Sequence, residues 1–389
     1  MPVFVGAAGS SYLHSNQIGV GRTDTTGRNA GVNTETGAFI YNTDLNGLQY
    51  WNGSSWIKVS SPFTATGGNQ ANVLEPGNGY AYHTFSSNGS LVVTSGEVEA
   101  EIVVVAGGGG GGSNNNGGSD GGGGGGGGGV AKVSAYPLSP GTYNITVGSG
   151  GAGGLAPGTQ NSTPPCSTKS APYSGQAGAN GGDSVFGASS PAAKKITASG
   201  GGGGGSGPNA GNHDCGGSGG GAGSGGNPGS PGGAANQSPH NSSYTETPIS
   251  NYGNAGGTAP ASPPFTGAGG GGAGGAGSDG SSGGPGVGGA GVDIGPAGFE
   301  APLIGMPGLN PHSGYFAAGG SGGTQNNNMT SPISGSTGGG GSGASTNADA
   351  GAGAANGSGG GGGSGSPAPD ARFDGAAGGS GLVIIRYSV

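Results

Sequence analysis

Glycine runs, not hydrophobic periodicity, set the limits on what this chain can fold into. They occupy residues 106–112, 121–129, 148–154, 175–182, 200–205, 216–226, 267–277, 283–291, 319–323, 338–343, 351–366 and 375–381. Between Thr197 and Ser281 the only Val, Ile, Leu or Phe residues are Ile249 and Phe265, so no ordinary apolar core can form there. With 109 glycines and 26 prolines in 389 residues, the composition matches low-complexity chains. Disorder driven by charge does not fit, because only 7% of residues are charged and the net charge is -8. Collagen is excluded as well, since glycine does not recur strictly at every third position.

A flexible linker is the plain reading of one isolated run. So many runs of similar length, bracketed by apolar strands, point instead to a bundle of polyglycine II helices. This conformation has three residues per turn, about 3.1 Å rise and no internal hydrogen bonds. Its N–H and C=O groups point sideways and pair with neighbouring runs only where no Cβ separates the backbones. Ala and Ser interruptions, as in GGAGGAG, are expected on outer faces. Ordering each glycine costs roughly 1–2 kcal/mol and each hydrogen bond returns about 0.5–1.5, so apolar strands must supply the remainder.

Those strands are legible. YAYHTF, SLVVT and VEAEIVVVA read as three strands separated by Ser-Asn-Gly and Ser-Gly turns. VAKVSAY and TYNITVG flank the turn Leu138-Ser139-Pro140-Gly141, and LVIIRYSV closes the chain. The expected fold class is mostly β, a glycine-helix sandwich capped by a small antiparallel β-sheet, with essentially no α-helix. Val103 to Val105 and Val383 to Ile385 are expected in one sheet. Residues 1–61 form a β-rich module in which Asn52-Gly53 turns between aromatic segments, with Trp51 and Trp56 as core or trimer-interface residues. Residues 62–78 read as a linker and 79–389 as the glycine-rich domain.

Charge excludes several partners. No Lys or Arg lies between Ile196 and Ala371, which argues against nucleic acid and anionic membrane. The N-terminus has no basic start or long apolar stretch, so neither a signal peptide nor membrane insertion is expected. GGSGG at 216–220 and 319–323 fits the G-x-S-x-G nucleophile pattern but follows no strand and precedes no helix, and no Gly-Lys dipeptide offers a phosphate loop. Gly178 to Phe186 resembles a single calcium-binding nonapeptide that normally works in tandem, and a tight turn before a strand is the better reading. His213, Asp214 and Cys215, with Cys166 and His240, lack the paired spacing of a zinc site. No enzyme, cofactor or metal is expected.

The ordered segments YAYHTF, SLVVTSGEVEAEIVVVAGGGGGG, GGGGGGGGGVAKVSAYPLSPGTYNITVGSGGAGG, NGGDSVFG, ITASGGGGGG and GGSGLVIIRY resemble the glycine-rich domain of bacteriophage tail and tail-fibre proteins over residues 79 to 389. TGAFIYNTDLNGLQYWNGSSWIKV is similar to short repeats of phage fibre proteins. The resemblance implies a virion protein, a tail-fibre or tip adhesin that joins other tail proteins through residues 1–61 and touches a host surface glycan or protein through terminal loops. A homotrimer is compatible with it. A decoration or fibre-shaft protein without a receptor is the alternative. An ice-binding protein is less in keeping with the sequence, since the regular tripeptide repeat is missing.

If each run crosses the bundle once, parity assigns the loops. Residues 113–120, 155–174, 206–215, 278–282, 324–337 and 367–374 fall at the end far from the strands. Residues 130–147, 183–199, 227–266, 292–318 and 344–350 fall near them. The far set offers amides, aromatics and a cation: Asn114, Asn115, Asn116, Tyr173, Asn326, Asn327, Asn328, Arg372 and Phe373 are the receptor-binding candidates. The near set holds apolar residues such as Ile294 and Phe316. Cys166 and Cys215, both in the far set by this count, are expected to approach one another and to form a disulfide in an oxidising exterior.

Overall fold

The structure is a computed structural model that describes residues 20–31, 35–59, 62–69, 79–114, 120–156, 175–187, 195–207, 214–225, 229–237, 249–282, 284–294, 314–324, 334–345, 349–355, 358–365 and 373–389. The chain divides into two compact units, residues 1–63 with 95–97, and residues 64–94 with 98–389.

In the first unit, β1 (Arg22–Thr23), α1 (Thr25–Gly31), β2 (Phe39–Asn42), β3 (Gly47–Trp51) and β4 (Trp56–Lys58) build a four-stranded sheet in that strand order. β1 and β2 are parallel and the other pairs antiparallel. The seven-residue α1 is the exception to an otherwise strand-only chain among the described residues. It starts where Asp24 Oδ1 accepts the Gly27 N–H at 2.6 Å, an N-cap that satisfies an otherwise unpaired donor. The Asn52-Gly53 turn forms as its sequence requires: Asn52 Oδ1 accepts the N–H groups of Ser54 and Ser55, and Gly53 takes a φ of 101°. Trp51 and Trp56 are cross-strand partners with ring centroids 5.6 Å apart.

The second unit contains β5 (Thr64–Thr66), β6 (Tyr80–Phe85), β7 (Gly89–Ser95), β8 (Val98–Val105), β9 (Val130–Leu138), β10 (Gly141–Thr146), β11 (Ser184–Phe186), β12 (Ile196–Ala198), β13 (Ile249–Tyr252), β14 (Val292–Asp293), β15 (Tyr315–Phe316) and β16 (Leu382–Ser388). The expected sheet is in fact two five-stranded sheets, ordered β12-β11-β10-β7-β5 and β13-β9-β8-β16-β6. Val103 to Val105 pair antiparallel with Leu382 to Ile384, so the strand that leads into the first glycine run and the strand that follows the last lie side by side. Tyr136 of one sheet meets Tyr143 and Phe186 of the other at 6.2 and 5.2 Å, an aromatic seal between the sheets. Leu91, Ile102, Leu138 and Ile196 are fully buried around it. The turn at 139–140 carries the chain from one sheet to the other. Residues 64–66 are not linker: β5 pairs on the edge of β7, and Gly67, with a φ of 130°, sits where a Cβ would fall 2.2 Å from the Ser90 carbonyl oxygen.

The strands continue directly into the glycine runs, and the runs hydrogen-bond sideways with a period of three. Gly107 and Gly110 donate to Gly182 and Ala179, Gly108 and Gly111 to Gly379 and Ala376, and Gly109 and Gly112 to Gly126 and Gly123. Each run therefore addresses a different neighbour every third residue. Contact is close enough to exclude any side chain. A Cβ on Gly111 would lie 1.9 Å from the Gly362 carbonyl oxygen, and one on Gly125 would lie 2.2 Å from that of Gly109. Ala and Ser do not stay outside as expected. Ala222, Ala259 and Ala268 make a small buried cluster, and the buried Ser224, Ser321 and Ser358 hydroxyls accept the N–H groups of Gly121, Gly288 and Gly128. A hydroxyl can replace a missing lateral carbonyl, which gives serine an interior role.

Candidate receptor-facing end of the glycine bundle

Hydrogen-bond direction gives each run its sense and corrects the parity assignment. Residues 106–112 and 121–129 are antiparallel, and residues 148–154 run parallel to the first, as single crossings require. Residues 216–225, however, run parallel to 200–205, because Gly202 and Gly205 donate to Ser218 and Gly221. The chain has already returned between them: Asp214 donates to Gly203, and Gly217 to Gly200. Cys215 consequently lies near the sheets, exposed and unbridged, and the premise that put it beside Cys166 fails. Cys166 lies outside the described residues.

Four other assignments change for the same reason. Segment 227–266 starts and ends at the far end, with only its middle near the sheets, where β13 pairs with β9. Residues 338–345 run parallel to 317–324, as Ser321 donates to Gly341 and Thr324 to Ala344, so residues 344 and 345, assigned to the near set, lie far from the sheets. Residues 351–354 run back against 339–342, which makes the run at 351–366 two crossings. Residues 267–277 likewise reverse at 273–274, where Gly269 donates to Ser278 and Gly272 to Gly275. Loop 278–282 stays far, and the buried Ile294 and Phe316 lie near the sheets, with Lys132 Nζ donating to the Ile294 carbonyl at 2.7 Å.

Among the receptor-binding candidates, Asn114 and Phe373 are described, and they touch each other. Asn114 Oδ1 accepts the Phe373 N–H at 2.9 Å. Asn114 is fully buried, so its amide closes the bundle instead of facing solvent, which corrects the expectation that it contacts a receptor. Phe373 is half-buried. Asn115, Asn116, Tyr173, Asn326, Asn327, Asn328 and Arg372 lie outside the described residues.

The far end is finished by carboxylates that sequence reading passed over. Asp374 Oδ1 accepts the Ala156 N–H and Asp279 Oδ1 the Thr258 N–H, both at 2.7 Å. In each case a short acidic side chain accepts a backbone donor next to a glycine run. Asp120 packs against Gly207 and Gly225, where a Cβ would meet its side chain at 2.5 and 2.0 Å, and burial pushes its carboxyl up to about 6. An Asp beside a glycine run is a signal available in sequence, but it looks the same as a turn former. Asn180 and Asp183 act alike within the bundle, accepting the N–H groups of Gly203 and Gly200, so the stretch Gly178 to Phe186 leads into β11 with these two side chains engaged. Among the described residues no group of three or more His, Cys, Asp or Glu could hold a metal ion, and no helix is long and apolar enough to cross a membrane.

Comparison with known families accounts for both units. Residues 10–73 match a phage tail like trimerisation region, and residues 84–388 match a glycine-rich domain. No curated protein matches the chain at a significant level. The two matches together describe a phage tail-type structural protein, a virion component. With the second match spanning most of its length and every element from β7 to β16, the chain belongs to the glycine-rich domain family.

Proposed function

We propose that the protein is a non-enzymatic tail-fibre or tip adhesin whose glycine runs adopt the polyglycine II conformation and whose far-end loops contact a host surface glycan or protein. One observation carries this reading. The lateral hydrogen bonds repeat every third residue and occupy the backbone donors of the runs, so the loops are what remains to recognise another molecule. The β-sandwich closes the opposite end and makes the far loops the accessible tip. The N-terminal unit joins copies of the chain and other tail proteins.

Adsorption is the deciding measurement. Replacing Asn326 to Asn328 together with Phe373 by Ser should leave assembly intact and lower phage adsorption at least tenfold, and the isolated protein should block adsorption. A second reading, a fibre-shaft or decoration protein without a receptor, is favoured by the use of Asn114, Asp279 and Asp374 as caps, since polar side chains at the tip then serve the fold. Unchanged adsorption in the variant and no blocking by the isolated protein would select it.

A further inference from the structure

The four-stranded sheet of the N-terminal unit buries polar side chains on one face and leaves aromatic and aliphatic ones open on the other. Its covered face carries Ile40, Asn42 and Gln49, all at most 3% exposed. There Asn42 Nδ2 donates to Gln49 Oε1 at 3.1 Å, and Arg28 Nη1, from α1, donates to the same oxygen at 2.7 Å. A polar network thus fills the space beneath the helix. The opposite face carries Phe39, Tyr50 and Ile57 in one cross-strand row, with Tyr41 and Leu48 in the next. Phe39 is 52% exposed and Ile57 37%, while Tyr41, Leu48 and Tyr50 are partly exposed.

A half-covered antiparallel sheet puts its apolar side inward and its polar side to water. Here Phe39, Tyr50 and Ile57 form an apolar row on the open side. Val20, Leu45 and Val59 of the same unit are also large, apolar and exposed, so exposed apolar residues concentrate in this small unit. Phe39, Tyr41, Leu48, Tyr50 and Ile57 are uncharged, and the one cation of the two rows, Arg22, sits on the edge strand β1 beside Tyr41, so a copy of the same surface can approach the aromatic row with the guanidinium at its rim.

We propose that the face formed by Phe39, Tyr41, Leu48, Tyr50 and Ile57 is the interface on which three copies of this chain close into a homotrimer. The occupant is assigned as further copies of the chain because β1 to β4 lie wholly inside the segment, residues 10–73, that matches a phage tail like trimerisation region. The inference rests on the proposed tail-protein trimer and adds which face makes it. The Trp51 and Trp56 pair lies on the other side of the sheet and is not part of the contact.

Two measurements on the full chain test it. Native mass spectrometry should give a trimer for the parent and for Tyr50→Phe. Tyr50→Arg combined with Ile57→Arg should give a monomer, because two added cations per copy would meet their equivalents at the closed interface. Hydroxyl-radical footprinting of the unmodified protein, which does not depend on any variant folding, should find Phe39, Tyr50 and Ile57 oxidised at least fivefold more slowly than the exposed Tyr315. A trimeric parent with these residues oxidised as fast as Tyr315, or a charge variant that stays trimeric, overturns the choice of face and leaves the trimer standing. A monomeric parent overturns both.

Discussion

Arg386 donates two hydrogen bonds to Glu101 Oε1, at 2.6 and 3.0 Å, across 285 positions of sequence. The pair fastens the last strand of the glycine domain to the strand that leads into its first glycine run, on facing positions of β16 and β8. Lys132 approaches the second carboxylate oxygen at 4.0 Å, and the guanidinium carbon lies 4.5 Å from the Tyr80 ring centre. The glycine runs and the strands β9 to β15 all lie between the two in sequence, so this contact ties together the two ends of the bundle.

Removing one partner should therefore leave a poorly solvated charge. Arg386→Met is expected to lower stability by about 2–3 kcal/mol, with Glu101→Gln costing less because it still accepts a hydrogen bond. Chemical denaturation read by tyrosine fluorescence measures both. Equal stability of Arg386→Met and the parent would mean that the apolar strand pairing alone closes the domain.

Glycine should be obligatory inside the bundle and dispensable at its margin. Gly111→Ala is expected to cost at least about 3 kcal/mol, since its methyl would sit on the Gly362 carbonyl and the rigid backbone cannot yield. Gly275→Ala, whose nearest neighbour is 3.7 Å away, should be neutral or stabilising by up to about 1 kcal/mol through the reduced freedom of the unfolded chain. Amide exchange of residues 107–112 should slow in the parent and accelerate only in the first variant.

Asp120 should make the far end more stable in acid. Its carboxyl is raised from 3.8 to about 6 by burial, so the folded state holds a proton that the unfolded state releases. The stabilisation is complete below about pH 4 and is lost as pH rises toward and through 6. Part of the group is open to water, which limits the effect to about 1 kcal/mol. Asp120→Asn should remove this dependence, which melting temperatures between pH 4 and 7 would detect.

His83 should act with the opposite sign. Burial lowers its pKa from 6.5, partly offset by the hydrogen bond to the Gly67 carbonyl. The neutral ring donates from Nδ1 to that oxygen at 2.7 Å and accepts the Tyr387 hydroxyl on Nε2 at 3.1 Å. Its contribution is present above pH 6.5 and is lost as pH falls through the lowered folded value. His83→Gln should flatten the acid limb that remains after Asp120→Asn. An NMR titration placing His83 at or above 6.5 would refute the assignment.

The sequence by itself determined the class of this protein. Apolar strands of alternating or continuous pattern mark β6 to β10 and β16, and glycine runs too numerous to be linkers demand mutual pairing, because a backbone without side chains has nothing else to satisfy its donors. Asn52-Gly53 announced its turn for the same local reason. Tertiary structure decided what depends on the return path. Residues 334–337 and 351–354 cross the bundle with little or no uninterrupted glycine to mark them, and residues 214 and 217 already lie beside the run at 200–205, so counting runs could not place Cys215 or residues 344 and 345. It also decided that Asn114, Asp279 and Asp374 accept backbone donors at the far end, that serine hydroxyls accept lateral N–H groups, and that the N-terminal sheet leaves Phe39 and Ile57 exposed. Each follows from which groups lack a partner in three dimensions, a property that no local pattern of residues encodes.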